Sequence, residues 1–281
     1  MSRPLIWRRR LAAAFVCPLA LCLGLATAAS AHTPSPSPSS VPGYAALGDS
    51  VASGTGAGPG SGDCRRSPGA YPVLWAGSHR PAQFAFAACS GAKIPDVTAR
   101  QLPAVPPDTT LVSITVGAND VGFVDVLTTC VLGGEDACLT GIARAEQVMD
   151  RDLPGAYQQL YRAVGARTAP GARVVVTGYP HLYADRACLT GGLTQREVTA
   201  LNAAVDHLDR VIEDQTRTHR DVVFADVRPR FAGHGLCSSD PWIHPPSLLA
   251  LSVSFHPTAE GQRHGYLPAF ASAAAGHRFP Q

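Results

Sequence analysis

Five short and largely apolar runs, at residues 44–47, 84–88, 111–116, 173–177 and 222–227, are separated by longer stretches of helical periodicity. Runs that are apolar on both sides predict strands buried on both faces, as in a parallel sheet covered by helices. Helices are predicted at 71–78, 142–164 and 194–218, the last with Val198, Leu201, Val205, Leu208 and Ile212 along one face. Thr258 is placed to cap a final helix running through Ala269. Strands alternating with helices predict an α/β fold with a parallel central sheet. Two stretches break the pattern, 123–139 and 229–251, both containing glycine and cysteine and the second also prolines. They read as long loops, which in a compact domain more often serve a site than idle. Phe123, Leu127, Trp242 and Ile243 within them are candidate pocket lining.

The first residues follow a different logic. Arg8-Arg9-Arg10, an apolar run from Leu11 to Ala28 and Ala29-Ser30-Ala31 form the charged, apolar and small-residue zones of a secretory signal, with cleavage expected after Ala31. An apolar run of about 18 residues is just long enough for a membrane anchor, but the small-x-small site favours export. Residues 32–42 are rich in Ser and Pro and lack periodicity, so they are expected to form an extended leader. The remainder, 43–281, suits one domain with a full-sized core. Losing residues 1–31 removes four arginines and no acid, so the formal charge moves from +2 to about −2. A near-neutral chain gives no electrostatic reason for a nucleic-acid partner. Cys17 and Cys22 go with the signal, leaving Cys64, Cys89, Cys130, Cys138, Cys188 and Cys237. An even number in an exported chain favours three disulfides, with about 15 connectivities open on spacing alone.

The chemistry gathers at predicted strand ends. Gly48-Asp49-Ser50 follows the first run, Cys89-Ser90-Gly91 the second and Gly117-Ala118-Asn119-Asp120 the third, while Ser254-Phe255-His256-Pro257 precedes the final helix. A serine hydroxyl is a poor nucleophile at neutral pH and needs a base within hydrogen-bond reach and donors aimed at the developing oxyanion. Ser50 supplies the nucleophile, Gly91 an unhindered N–H, Asn119 a side-chain amide and His256 a base. In open α/β sheets reactive groups collect beyond the carboxyl ends of the strands, so the fold and site readings agree. Taken singly, each residue has a plainer use: Ser50 as a helix N-cap, Asp49, Asn119 and Asp120 as turn formers, the glycines as turn residues.

Four blocks in this order resemble the GDSL, or SGNH, hydrolase family, most closely its secreted actinobacterial esterases and lipases. The resemblance extends from about Tyr44 to Phe270. It implies a three-layer α/β/α sandwich around a mostly parallel five-stranded sheet of flavodoxin-like type. It also implies Ser50 as nucleophile, the N–H groups of Ser50 and Gly91 with the Asn119 amide as oxyanion hole, and His256 as base. Neither metal nor organic cofactor is implied. Sequential disulfides follow from the same resemblance: Cys64 with Cys89, Cys130 with Cys138, and Cys188 with Cys237. Many members carry an aspartate three residues before the histidine, whereas this chain has Val253. The expectation is a Ser50–His256 dyad whose imidazole is oriented by the Val253 carbonyl, with Asp240 the nearest upstream carboxylate and His244 and His181 the rival bases.

The function expected is an extracellular serine ester hydrolase acting on fatty-acyl or lipid esters. Its partners would be the ester substrate and, transiently, a lipid surface, and the chain would work as a monomer. Two readings compete: a carbohydrate O-acetyl esterase with the same residues, and a catalytically silent secreted binding protein that keeps the fold.

Overall fold

A computed structural model describes residues 43–188, 192–247 and 249–276. The signal and leader readings lie outside the described residues. Five strands form the sheet: β1 (Gly43–Gly48), β2 (Phe84–Phe86), β3 (Thr109–Thr115), β4 (Arg173–Thr177) and β5 (Val222–Ala225). Every pairing is parallel and the spatial order is β2-β1-β3-β4-β5. This is the flavodoxin-like doubly wound order, in which the chain reverses direction across the sheet between β1 and β3. All five predicted strands are present, β4 with the predicted bounds and the others with ends within two residues of them.

The helices cover both faces. Tyr71–His79 (α2) and Leu267–Ala275 (α8) bring Trp75 and Phe270 against Tyr44 of β1, with ring centroids 4.9 and 5.6 Å away. On the opposite face lie Ile94–Asp96 (α3), continuing as a π turn to Gln101, then Glu135–Arg167 (α5) and Gln195–Thr216 (α6). Helix α6 begins in a capping box, Thr194 Oγ1 accepting from the Glu197 N–H and Glu197 Oε2 from the Thr194 N–H. Its five predicted apolar positions are all buried. Thr258 Oγ1 accepts the Gly261 N–H, the capping role expected of it, and the helical turns continue through Gly261–Tyr266 into α8. Ser50–Ser53 (α1) and Arg228–Phe231 (α7) are short helices.

One expectation fails. The stretch 123–139 is not a loop: Phe123–Gly133 is a helix (α4), and Gly134, with φ of 81°, turns directly into α5. Its buried residues are Phe123, Val126, Leu127 and Cys130, a spacing of three, four and seven that is a helical stripe. The predicted 142–164 helix therefore starts seven residues earlier, at Glu135. Disulfides join Cys64 to Cys89, Cys130 to Cys138 and Cys188 to Cys237. The second ties α4 to the first turn of α5.

Candidate active site

The site lies over the carboxyl ends of β1 and β3, at the switch point of the sheet. Gly48 ends β1 with φ of 129°, and a Cβ there would stand 2.0 Å from the Thr115 carbonyl oxygen, so only glycine fits. Its backbone is held on both polar atoms: its N–H donates to Gln101 Oε1 and its carbonyl accepts from Gln101 Nε2, each at 2.8 Å. Asp49 follows as N-cap of α1, Oδ1 accepting the Val51 N–H at 2.9 Å. Asp49 thus shapes the turn, as its local sequence suggests, and Ser50 emerges as the first residue of the helix.

His256 Nε2 and Ser50 Oγ are 2.7 Å apart, although the residues lie 206 positions apart in sequence. On the far side of the ring, Nδ1 meets the Ser254 carbonyl at 3.0 Å. The Ser254 carbonyl thus joins that of Val253, the group expected to orient the ring, which also acts on the imidazole. The Val253 carbonyl accepts the backbone N–H of His256 at 3.1 Å as well. Both carbonyls are brought to the ring by Phe255, a non-glycine residue at φ of 63°, whose left-handed conformation folds the chain tightly between Ser254 and His256. With Nδ1–H directed at a carbonyl, Nε2 is the free base facing Ser50. Burial pushes the His256 pKa below its usual value, the Ser254 and Val253 carbonyls oppose it, and His244 and Arg65 add to the lowering.

Neither rival histidine faces Ser50. His244 donates from Nε2 to the Gly56 carbonyl at 2.8 Å, and its backbone pairs with His256 and Phe255. It braces the histidine loop. His181 meets Asp206 at 2.9 Å. Asp240 accepts the Trp242 indole N–H and lies beside His234.

Gly91, at φ of 81°, is exposed and has open space where a Cβ would stand. Its loop is tied down by the Cys64–Cys89 disulfide and a Ser90 N–H to Cys64 carbonyl bond. Asn119 Nδ2 donates to the Ala92 carbonyl at 3.1 Å, which spends one amide hydrogen and leaves the other for a ligand. Asp120 reinforces the same junction, its carboxylate accepting the Ile94 N–H at 3.0 and 3.2 Å. Burial raises the Asp120 pKa to about 6. Gly117, which precedes this loop, has no room for a side chain because Tyr157 Oη lies 2.1 Å from where its Cβ would be.

A cleft of about 540 Å³ opens beside Ser50, Asn119 and His256. Phe123, Leu127 and Val131 of α4 form one apolar wall, and Leu182, Leu208 and Phe255 others. Phe123 and Leu127 were expected there. Trp242 and Ile243 are absent from the cleft: Trp242 stacks on His234 at 3.5 Å, and Ile243 is buried, bridging to Pro257. Tyr179, just past β4, lines the cleft and is a residue that the sequence reading passed over. Its hydroxyl donates to Asp49 Oδ2 at 2.6 Å. Its place just after a glycine at the carboxyl end of a strand is the signal that marks it, as Gly48 at the end of β1 marks the turn of Asp49 and Ser50.

Known proteins resemble this chain over most of its length. The chain is 45% identical to Lipase 1 of Streptomyces coelicolor over 271 residues, covering 95% of this chain and all of the relative. The crystal structure of an extracellular lipase from Streptomyces rimosus superposes with a TM-score of 0.79 at 47% identity, covering 83% of this chain and all of that one. Phospholipase A1 from Streptomyces albidoflavus gives a TM-score of 0.80 at 45% identity, with the same coverage. A family model matches residues 46–264, and the chain belongs to the GDSL-like lipase/acylhydrolase family.

Proposed function

We propose that this chain is a secreted serine ester hydrolase that cleaves fatty-acyl esters through an acyl-enzyme on Ser50. The observation that carries the reading is the 2.7 Å contact between Ser50 Oγ and His256 Nε2 at the edge of an apolar cleft. The family and the relatives, themselves named lipases and a phospholipase A1, support the reaction class.

The reaction runs in two halves. Ser50 Oγ attacks the ester carbonyl carbon while its proton passes to His256 Nε2. The carbonyl oxygen becomes an oxyanion, received by the N–H groups of Ser50 and Gly91 and the second amide hydrogen of Asn119. The intermediate collapses, the alcohol leaves with the proton from His256, and the acyl group stays on Ser50. Water then attacks this ester, giving its proton to His256, and the second tetrahedral intermediate collapses with return of that proton to Ser50 Oγ, releasing the fatty acid and the free serine. The imidazolium is stabilised by a main-chain carbonyl, that of Ser254, where other triads use a carboxylate. The acyl chain lies against Phe123, Leu127 and Val131, where each buried methylene contributes about 0.8 kcal/mol. In this reading residues 1–31 are a removed signal, 32–42 a leader and 43–281 the hydrolase domain, which acts as a monomer.

The test is hydrolysis of a chromogenic ester series from acetyl to palmitoyl by the oxidised, signal-free chain beside Ser50→Ala. Turnover of medium or long chains that vanishes in the variant is expected. Activity confined to acetyl esters would instead point to a sugar or small-ester deacetylase, and activity surviving Ser50→Ala would overturn the assignment.

A further inference from the structure

Tyr179 has no part in the four blocks, yet it is fixed from three sides. Its backbone N–H donates to Asp209 Oδ1 of α6 at 2.9 Å. The preceding Gly178 presses so closely on Asp209 that a Cβ would stand 2.5 Å from Oδ2, and its carbonyl accepts from the Tyr266 hydroxyl at 3.2 Å. The side chain then reaches 130 positions back in sequence to Asp49, the neighbour of Ser50. The same hydroxyl oxygen accepts the Ala118 N–H at 3.3 Å, next to Asn119. One phenol therefore touches both the turn that presents Ser50 and the turn that presents Asn119.

We propose that Tyr179 is a positioning residue for acyl transfer: its hydroxyl locks the Ser50 turn to the Asn119 turn, fixing nucleophile and oxyanion donor relative to each other. The inference rests on the ester-hydrolase reading above. Physical necessity favours the link. The two turns end neighbouring strands but belong to separate loops, and small misplacements between reacting groups cost rate steeply. A hydrogen bond to a buried carboxylate is among the stronger ties available to hold them.

The link also has a charge state. Asp49 is buried, and burial raises its pKa to about 7, while the bonds from Tyr179 and the Val51 N–H draw it down and the neighbouring Asp120 raises it. The other titratable groups facing it are Tyr71 of α2, Tyr157 of α5 and Tyr266 before α8, all neutral phenols held above their usual pKa by burial. Removing the Tyr179 hydroxyl takes away a donor to the carboxylate, so Asp49 ionises at higher pH. The acid side of the kcat profile then has two steps, one from His256 below its ordinary value and a partial one from Asp49 near pH 7. Only the second moves when the phenol is lost.

The experiment compares the parent, Tyr179→Phe, Asp49→Asn and the double variant on a soluble chromogenic butyrate ester from pH 5 to 9. Tyr179→Phe is expected to lower kcat by about 10- to 100-fold with little change in KM, and to move the upper acid step to higher pH. The double variant should be no slower than the slower single one, because both remove one link. Parental kcat and pH profile in Tyr179→Phe, or a uniform loss at every pH with multiplied losses in the double variant, would overturn the proposal. Should Tyr179→Phe not fold, Asp49→Asn decides: it must lower kcat and lose the upper step, and parental kinetics refute the link. Failure of the hydrolase reading looks different, since the parent itself would then be inactive or Ser50→Ala active.

Discussion

The imidazole of His256 is oriented by the Ser254 carbonyl, 3.0 Å from Nδ1 and two residues upstream. A carbonyl cannot be neutralised or protonated in the working range, so the tautomer presented to Ser50 does not depend on an ionised acid. Among the described residues, Asp240, the nearest upstream carboxylate, is engaged elsewhere, accepting from Trp242 Nε1 at 3.2 Å. Asp240→Asn is therefore expected to keep turnover within about twofold, whereas loss of a triad carboxylate costs about 10⁴. Steady-state kcat on a butyrate ester separates the two.

The cleft wall built by α4 should set acyl-chain preference. Leu127→Trp fills the space against Phe123 and Val131, so kcat/KM for long chains should fall while acetyl and butyrate esters are hydrolysed nearly as before. With about 0.8 kcal/mol per buried methylene, each methylene excluded lowers kcat/KM by about fourfold. Trp242→Phe, outside the cleft, should leave the chain-length profile unchanged.

Asp49 makes a pH-dependent contribution to stability whose sign is opposite to that of an ordinary paired carboxylate. Its folded pKa is raised from 3.8 to about 7, so between those values the native state holds more protons than the unfolded chain. Stability then falls as pH rises through this window. Measured against Asp49→Asn, the parent should lose up to about 4 kcal/mol of relative stability between pH 4 and pH 8. Chemical denaturation at the two pH values reads this change, and a parent that gains stability relative to Asp49→Asn as pH rises would refute it.

Gly48→Ala tests the turn beneath the nucleophile. The new Cβ would meet the Thr115 carbonyl oxygen at 2.0 Å, and the residue would keep a positive φ, so a loss of more than about 3 kcal/mol is expected. Urea unfolding of the variant at neutral pH checks it, and a parental midpoint would contradict the geometry.

Much of this molecule was legible locally. Strands buried on both faces are largely apolar, so β1, β3 and β4 stand out as runs, and Gly, Asp or Asn, which tolerate tight turns, cluster at or just after their ends. That is why Ser50, Gly91, Asn119 and His256 could be singled out, and why α6 could be placed from its apolar face and capping residue. Other features depend on contacts between distant segments. The 123–139 stretch reads as a loop from sequence because its Thr, Cys and Gly residues obscure a stripe over 123–130 that only burial in the core reveals. That the Ser254 carbonyl stands 3.0 Å from the imidazole hangs on the left-handed backbone of Phe255, which no pattern of residue types specifies. Trp242 and Ile243 look as suitable for a pocket as Phe123 and Leu127; packing against His234 and Pro257 removes them from it. The bond from Tyr179 to Asp49 spans 130 positions, and it exists only because the parallel sheet brings the ends of β1 and β4 to the same edge.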